Sequence, residues 1–336
     1  MDSYTDVMSK EPRHTGPANA SRHSGPGKSA RKGISIFELH KMFPNEESAE
    51  LWLEEQRWGN TSPSNNIVCP RCGSTNTKRN PKKKPMPHHC GSCRKFFSVR
   101  IGSAMEGSKI PLQKWVFAIY LWATSLKGVS SMKLHRDLGI TQKSAWFMAH
   151  RLREAWQTHG GVFSGPVEAD ETFIGGKEKN KHSSKKLRAG RGGVGKAVVA
   201  GVKDRGTKRV HVKVVENTRS KTLKDFVNEV RDPEQLLYTD DACAYRGLPN
   251  HYWVKHSVGE YVNEQAHTNG MESFWSQLKR GYHGTFHHMS PKHLQRYVNE
   301  FAGRHNIREY DTITMMEMIA SGLFEKRLMY EDLVHG

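Results

Sequence analysis

The sequence is short of acid, of long apolar runs and of cysteine. Across 336 residues, 34 Asp and Glu stand against 52 Lys and Arg, a formal charge of +18. That deficit says little about fold, but it points to a polyanionic partner, either nucleic acid or an anionic membrane surface. The longest unbroken apolar run is the nine residues from Trp115 to Ala123, about half of the ~18 that a bilayer span needs. The polar N-terminal stretch has no apolar segment of the secretory kind. Five cysteines are too few for a disulfide scaffold. Four of them form two C-x-x-C pairs, which suits a reducing compartment and a bound metal. These absences predict a soluble, cytoplasmic chain with room for two or three domains.

What is present divides the chain. Residues 1–33, rich in Ser, Gly, Pro, Lys and Arg, read as a disordered basic tail. Residues 34–66 form a short helical lead-in, with a helix expected from Glu46 to about Arg57 after the break at Pro44. Residues 108–160 read as helical throughout. Leu112, Trp115, Val116, Ile119, Tyr120, Ala123 and Leu126 mark one face of a first helix. A second helix runs from about Ser130 to Leu138, and a third from Gln142 to about Trp156 behind Thr141 as N-cap. From 165 to 310 the pattern is mixed. Strands are expected at 167–174, 197–203, 209–215, 236–239 and 252–255. Helices are expected at 221–230, 271–280 and 291–303, with one or two helical turns at 241–246. Residues 311–336 close the chain as a helical tail.

Cys69-Pro-Arg-Cys72 and Cys90-Gly-Ser-Cys93 have the spacing of a structural zinc ribbon over residues 67–100, in which two thiolate turns complete a tetrahedron. Redox pairs or disulfides are the alternative and leave the paired spacing unexplained. His88 and His89 read as surface histidines. Segment 69–100 holds nine Lys and Arg and no acid. Lys82, Lys83 and Lys84 are its candidate DNA contacts, against the plainer reading of a solvated basic loop. Residues 130–156 fit a helix-turn-helix, with Gln142 and Lys143 at the end that would enter a major groove. An ordinary helical bundle fits nearly as well.

In so basic a chain, acids at the ends of apolar strands stand out. Asp170 closes Val167-Glu168-Ala169-Asp170, and Asp240 closes Leu236-Leu237-Tyr238-Thr239-Asp240. Glu272 falls on a helix ahead of Trp275 and Lys279. On adjacent strands and a helix packed across them, the three carboxylates would meet and hold two divalent metals for phosphodiester chemistry. Taken singly, each acid has a dull reading as a cap or a solvated residue.

Several stretches together, FPNEESAELWLEEQRWG, CPRCG, CGSC, VEADETFIGG, YTDDACAY and HTNGMESFWSQLKRGYHGTFHHMSPKHLQRYVNEFAGRHNIR, resemble the ISXO-like insertion-sequence transposases. These are bacterial DDE-type enzymes with an N-terminal zinc ribbon. The resemblance covers about residues 35–310. It implies an α/β fold, an RNase H-like mixed five-stranded sheet with helices, behind the zinc ribbon and the helical module. It further implies two Mg²⁺ (or Mn²⁺) ions, one structural Zn²⁺, and DNA as partner, both terminal inverted repeats and target. At least a homodimer is expected, because two ends must be brought together. Asp170, Asp240 and Glu272 match the three catalytic carboxylates, and Lys279 matches the basic residue expected at the transposon end, with Arg280 beside it. Asn269 is the rival third ligand and Asp241 the weaker rival second. His283, His287, His288 and Lys292 read as further phosphate contacts, with ordinary packing or a supporting role an equal reading of the three histidines.

Two other functions share these features: a structure-selective nuclease on the same fold, and a catalytically inactive zinc-ribbon regulator. The placement of charge narrows the partner. Segments 69–100, 112–164 and 177–196 carry +9, +5 and +7, so the remainder is −3. A charge so localised favours DNA phosphates over a membrane.

Overall fold

The computed structural model describes residues 33–59, 67–156, 161–176, 180–187, 193–240, 243–254 and 268–335. The tail expected before Gly33, Asp241, and parts of the Gly- and Lys-rich loop at 177–196 lie outside them.

Two short helices open the chain, α1 (Ile36–Met42) and α2 (Glu46–Trp58). Each is fixed by a capping box, Ser35 with Glu38 and Asn45 with Ser48, which satisfies amides that a helix start leaves orphaned. The ribbon follows as a three-stranded antiparallel sheet of β1 (Thr77–Arg79), β2 (His88–Cys90) and β3 (Phe96–Phe97). Then come α3 (Leu112–Thr124), α4 (Ser131–Leu138) and α5 (Gln142–Glu154). Glu46 caps α3 from outside, its carboxylate accepting from the Leu112 and Gln113 amides at 2.7 and 2.9 Å. Gly139 ends α4 in the left-handed conformation (φ +56°), the position that glycine fills at least cost.

Lead-in and helical module share one core. Leu39, Leu53, Trp115, Ile119, Trp122, Leu134, Met148 and Leu152 are buried together, and Met315, Met316 and Ile319 of α9 (Thr312–Ser321) join them. A last short helix, α10 (Tyr330–Val334), lays Tyr330 against Trp146 and Phe147 of α5.

The remaining elements build the mixed five-stranded sheet. β4 (Val167–Ile174), β5 (Ala197–Asp204) and β6 (Val210–Val215) form an antiparallel meander. α6 (Ser220–Val230) crosses to β7 (Leu237–Asp240), which pairs parallel to β4, and β8 (His251–Val254) adds parallel to β7. The order β6-β5-β4-β7-β8 is the RNase H-like arrangement. The turn expected at 241–246 is one 3₁₀ turn, Cys243–Tyr245. The helix expected from 291 opens as a 3₁₀ turn, Pro291–His293, and continues as α8 (Leu294–Asn306).

Strand alternation sorts the two faces. Val167, Ala169, Ala200 and Val202 pack on Leu223, Phe226 and Val227 of α6. Ile174, Val199, Val210 and Val212 pack on α7 (Asn269–Gly281) and α8 through Phe274, Leu278, Val298 and Phe301. Glu168, Asp170 and Thr172 therefore face α7.

A buried ionic cluster joins the helical unit to the sheet. Glu300 of α8 accepts from Arg153 of α5 at 2.8 Å and from Arg304 at 2.8 and 3.1 Å. Arg304 donates onward to the backbone carbonyls of Trp122 and Ser125, and the Arg153 guanidinium lies 3.9 Å from the Tyr297 ring centre. Buried charges persist only when paired and hydrogen-bonded in this way.

Candidate active site and zinc ribbon

The four ribbon cysteines meet. Their sulfurs all lie within 4.8 Å of one another, with Cys69 to Cys93 at 3.7 Å and Cys72 to Cys90 at 3.6 Å. A disulfide needs about 2.05 Å. A tetrahedron built on Zn–S bonds of about 2.3 Å has edges near 3.8 Å, so the thiols fit zinc. The Cys93 backbone amide holds the Cys90 thiol down at about 7. Against the lowering effect of the Ser74 backbone, burial and the three neighbouring thiols push Cys72 up to about 12.

His88 is a correction to the surface reading. It is fully buried on the central ribbon strand, bonded through Nε2 to Glu54 of α2 at 2.6 Å and stacked on Phe97. Glu54 is also fully buried and pairs with Arg79. The ribbon is thus docked on the lead-in by a His–Glu–Arg chain. Lys83 joins that dock, its Nζ 3.2 and 3.1 Å from Glu47 and Glu50, while Lys82 and Lys84 are exposed. In the helical unit, Gln142 and Lys143 are exposed at the start of α5. Gln142 bonds Ser131, and Lys143 sits over the Tyr330 ring.

Asp240 ends β7, and Asp170 is the fourth of the eight residues of β4, just past the stretch where the two strands pair. Glu168 pairs with Tyr238 across β4 and β7, so two residues on, Asp170 and Asp240 come level and on the same face. Burial first, then the charges of Asp240 and Glu171, push the Asp170 carboxyl up to about 7. Its Oδ2 accepts from the Trp275 indole at 2.9 Å, and its Oδ1 from the Glu171 amide at 2.8 Å. Trp275 can lie there because Asp170 pairs with Gly201 on β5. A Cβ at Gly201 would come within 2.4 Å of Met271 and 2.8 Å of Trp275. Glu171, on the opposite face, accepts from the Tyr245 hydroxyl at 2.6 Å. Burial raises its carboxyl against that bond.

Glu272 reaches the site from α7. A cavity of about 680 Å³ is lined by Asp170, Glu171, Glu272, Trp275, Lys279 and Arg280, among others. Glu272, Trp275, Ser276, Lys279 and His283 form one stripe of the helix and the π-turn that extends it (Tyr282–Phe286). Asn269 and Asp240 are not among the lining residues. Asp240 is close enough to Asp170 for its charge to raise that carboxyl. Among the described residues, the thiol quartet is the one set of such donors all within 4.8 Å, so the three carboxylates are more widely spaced. Two ions about 3.5–4 Å apart ask for a wider set than one ion does. The further phosphate-contact candidates separate: His283 lines the cavity, whereas Lys292 donates to the Val334 carbonyl at 2.8 Å.

Two residues that sequence reading passed over organise the site. Glu168 is buried and accepts from the Met271 amide at 3.1 Å and from Arg205 at 2.9 Å. Thr268, the α7 N-cap, makes no side-chain cap, so a strand carboxylate caps this helix instead. The signal was available: Glu168 and Asp170, two apart on a strand, must share a face. Lys127, from the loop between α3 and α4, also lines the cavity. No local pattern announces that, since its neighbours lie far along the chain.

Comparison with known proteins agrees on both units. Residues 162–306 match the family model of the ISXO2-like transposase domain, and residues 44–96 match that of the transposase zinc-ribbon domain. By these two domains, a zinc ribbon ahead of a transposase domain, the chain is similar to the ISXO2-like insertion-sequence transposases. A relative from Halobacterium salinarum, described as an uncharacterized protein in transposable element ISH50, is 26% identical over 254 residues, 71% of this chain and 84% of its own length. Among the described residues, no helix is long and apolar enough to cross a membrane.

Proposed function

We propose that this chain is the transposase of an insertion sequence, binding terminal inverted repeats and catalysing metal-dependent strand cleavage and joining. The observation that carries this reading is the levelling of Asp170 with Asp240 on parallel strands. Glu272 stands over the same face, in a cavity whose other wall is basic. Asp170, Asp240 and Glu272 offer the hard oxygens that Mg²⁺ or Mn²⁺ takes. When bound, two such ions activate the attacking water or 3′-hydroxyl and stabilise the leaving oxygen.

The chain's own residues do the rest. The Trp275 indole and the Glu171 amide hold Asp170 in one orientation. Lys279 and Arg280 bring positive charge to the phosphodiester at the cavity wall. The carboxylates act as ligands, so the 3′-hydroxyl freed by hydrolysis attacks target DNA directly. The ribbon quartet Cys69, Cys72, Cys90 and Cys93 holds one structural zinc. The basic ribbon loop (Lys82, Lys83, Lys84) and the start of α5 (Gln142, Lys143) serve end binding, the chain acting in the cytoplasm on nucleoid DNA. Two ends brought together ask for at least two copies.

The test uses DNA carrying the element's own ends. Cleavage and joining in Mg²⁺ are expected for the parent chain. Asp170→Asn and Asp240→Asn are expected to lose both while still binding DNA. Metal-dependent cleavage at parental rate by either variant contradicts the reading, and cleavage without joining replaces it with a nuclease. For the third ligand, Glu272→Ala is expected to be inactive and Asn269→Ala active.

A further inference from the structure

The loop between α3 and α4 belongs to the helical unit, yet it is clamped onto the catalytic helices residue by residue. The Ser125 carbonyl accepts from Arg304 at 2.6 Å, and Arg304 is itself held by buried Glu300. The Leu126 carbonyl accepts from Gln277 of α7 at 3.5 Å. The Lys127 carbonyl packs so closely on α7 that a Cβ at Gly281 would sit 3.0 Å from it. Gly128 takes φ +85°, and a Cβ there would come within 2.7 Å of Phe286. At both of these positions only glycine fits, one for close approach and one also for a positive φ.

This anchoring leaves one polar side chain projecting. Lys127 is exposed and lines the same cavity as Asp170, Glu171 and Glu272. Lys279, Arg280 and His283 line it from α7 and the π-turn. The acids therefore sit between basic groups supplied by two separate units of the chain. A strand whose scissile phosphodiester rests on the carboxylates runs its neighbouring phosphates onto those flanking cations.

We propose that Lys127 is a DNA-strand contact of the catalytic cavity, binding a backbone phosphate next to the scissile one and so coupling the helical unit to the chemistry. The proposal rests on the transposase reading above and adds to it a residue outside the catalytic domain. A lysine binding phosphate as a point charge reads no sequence; it sets the strand's position.

The test measures the affinity of the full chain for a short fluorescein-labelled oligothymidylate over a range of salt. One phosphate contact on a single strand contributes about 0.7 to the slope of log K against log salt. Lys127→Ala should lower the slope by about that amount and weaken binding at each salt concentration, and Lys127→Arg should restore both. Lys213→Ala is the control, because Lys213 pairs with Glu229 of α6 on the opposite face of the sheet; it should keep the parental slope. A parental slope for Lys127→Ala, or an equal loss for Lys213→Ala, overturns the proposal. The two readings fail separately. Metal-dependent cleavage by Asp170→Asn sinks the transposase chemistry, whereas an inactive Asp170→Asn beside an unchanged Lys127→Ala slope sinks the Lys127 assignment alone.

Discussion

Asp170 stands against the Trp275 indole and close to two other acids, Asp240 and Glu171. Its carboxyl is raised from 3.8 to about 7, by burial first and then by the charges of Asp240 and Glu171. A folded-state value above the unfolded one means that the folded chain binds the extra proton between those two pH values. Stability of the metal-free protein therefore falls as pH rises from about 4 to about 7, and the cost is fully present above that. On this account Asp170→Asn, which removes the charge, stabilises the metal-free chain at pH 8 by on the order of 2–4 kcal/mol. It has little effect at pH 4. Urea unfolding at the two pH values checks this; equal effects at both contradict it. Asp170 stands out in sequence because an acid within a strand of so basic a chain is conspicuous. Its bond to Trp275 was not, since that depends on Gly201 being small on the adjacent strand.

At the scale of elements, α7 is the part that must be aimed. Its apolar stripe, Met271, Phe274, Trp275 and Leu278, sets which face packs, and that much is written in the 3.6-residue period. Its phase and height over the sheet come from Glu168 on the Met271 amide and from the space at Gly201. Glu168→Ala leaves that amide and Arg205 without their carboxylate and should destabilise by about 2–3 kcal/mol. Glu168→Gln, which keeps an acceptor, should recover part of the loss in both stability and metal-dependent cleavage. Gly201→Ala should cost about 1–3 kcal/mol by overpacking and lower cleavage by moving Trp275 off Asp170. An unchanged cleavage rate for Gly201→Ala would show that Trp275 does not orient the acid. Strand boundaries were read to within a residue because apolar runs end where polar turns begin. The 3₁₀ turn at 243–245 was harder, being fixed by the Tyr245 bond to Glu171 and not by any local period.

Over the whole molecule, units that look separate in sequence are tied by buried charge. Glu54 links the ribbon to α2 through His88 and Arg79, and Glu300 links α5 to α8 through Arg153 and Arg304. The surface reading of His88 failed because its partner lies 34 residues away, and such pairings leave no local pattern. Glu300→Ala strands two buried arginines and should cost about 3–5 kcal/mol, with earlier proteolysis between the helical unit and the sheet. Chelation should release about one zinc per chain and loosen the ribbon, leaving the helical core folded; release of none from a chain with reduced cysteines would reject the ribbon site. In the mechanism we propose, Asp170, Asp240 and Glu272 together hold two divalent ions. Mn²⁺ titration of the zinc-loaded chain tests it most directly. Two ions bound by the parent are expected, with binding weakened or lost in Asp170→Asn and in Asp240→Asn. Parental stoichiometry and affinity in either variant would contradict it.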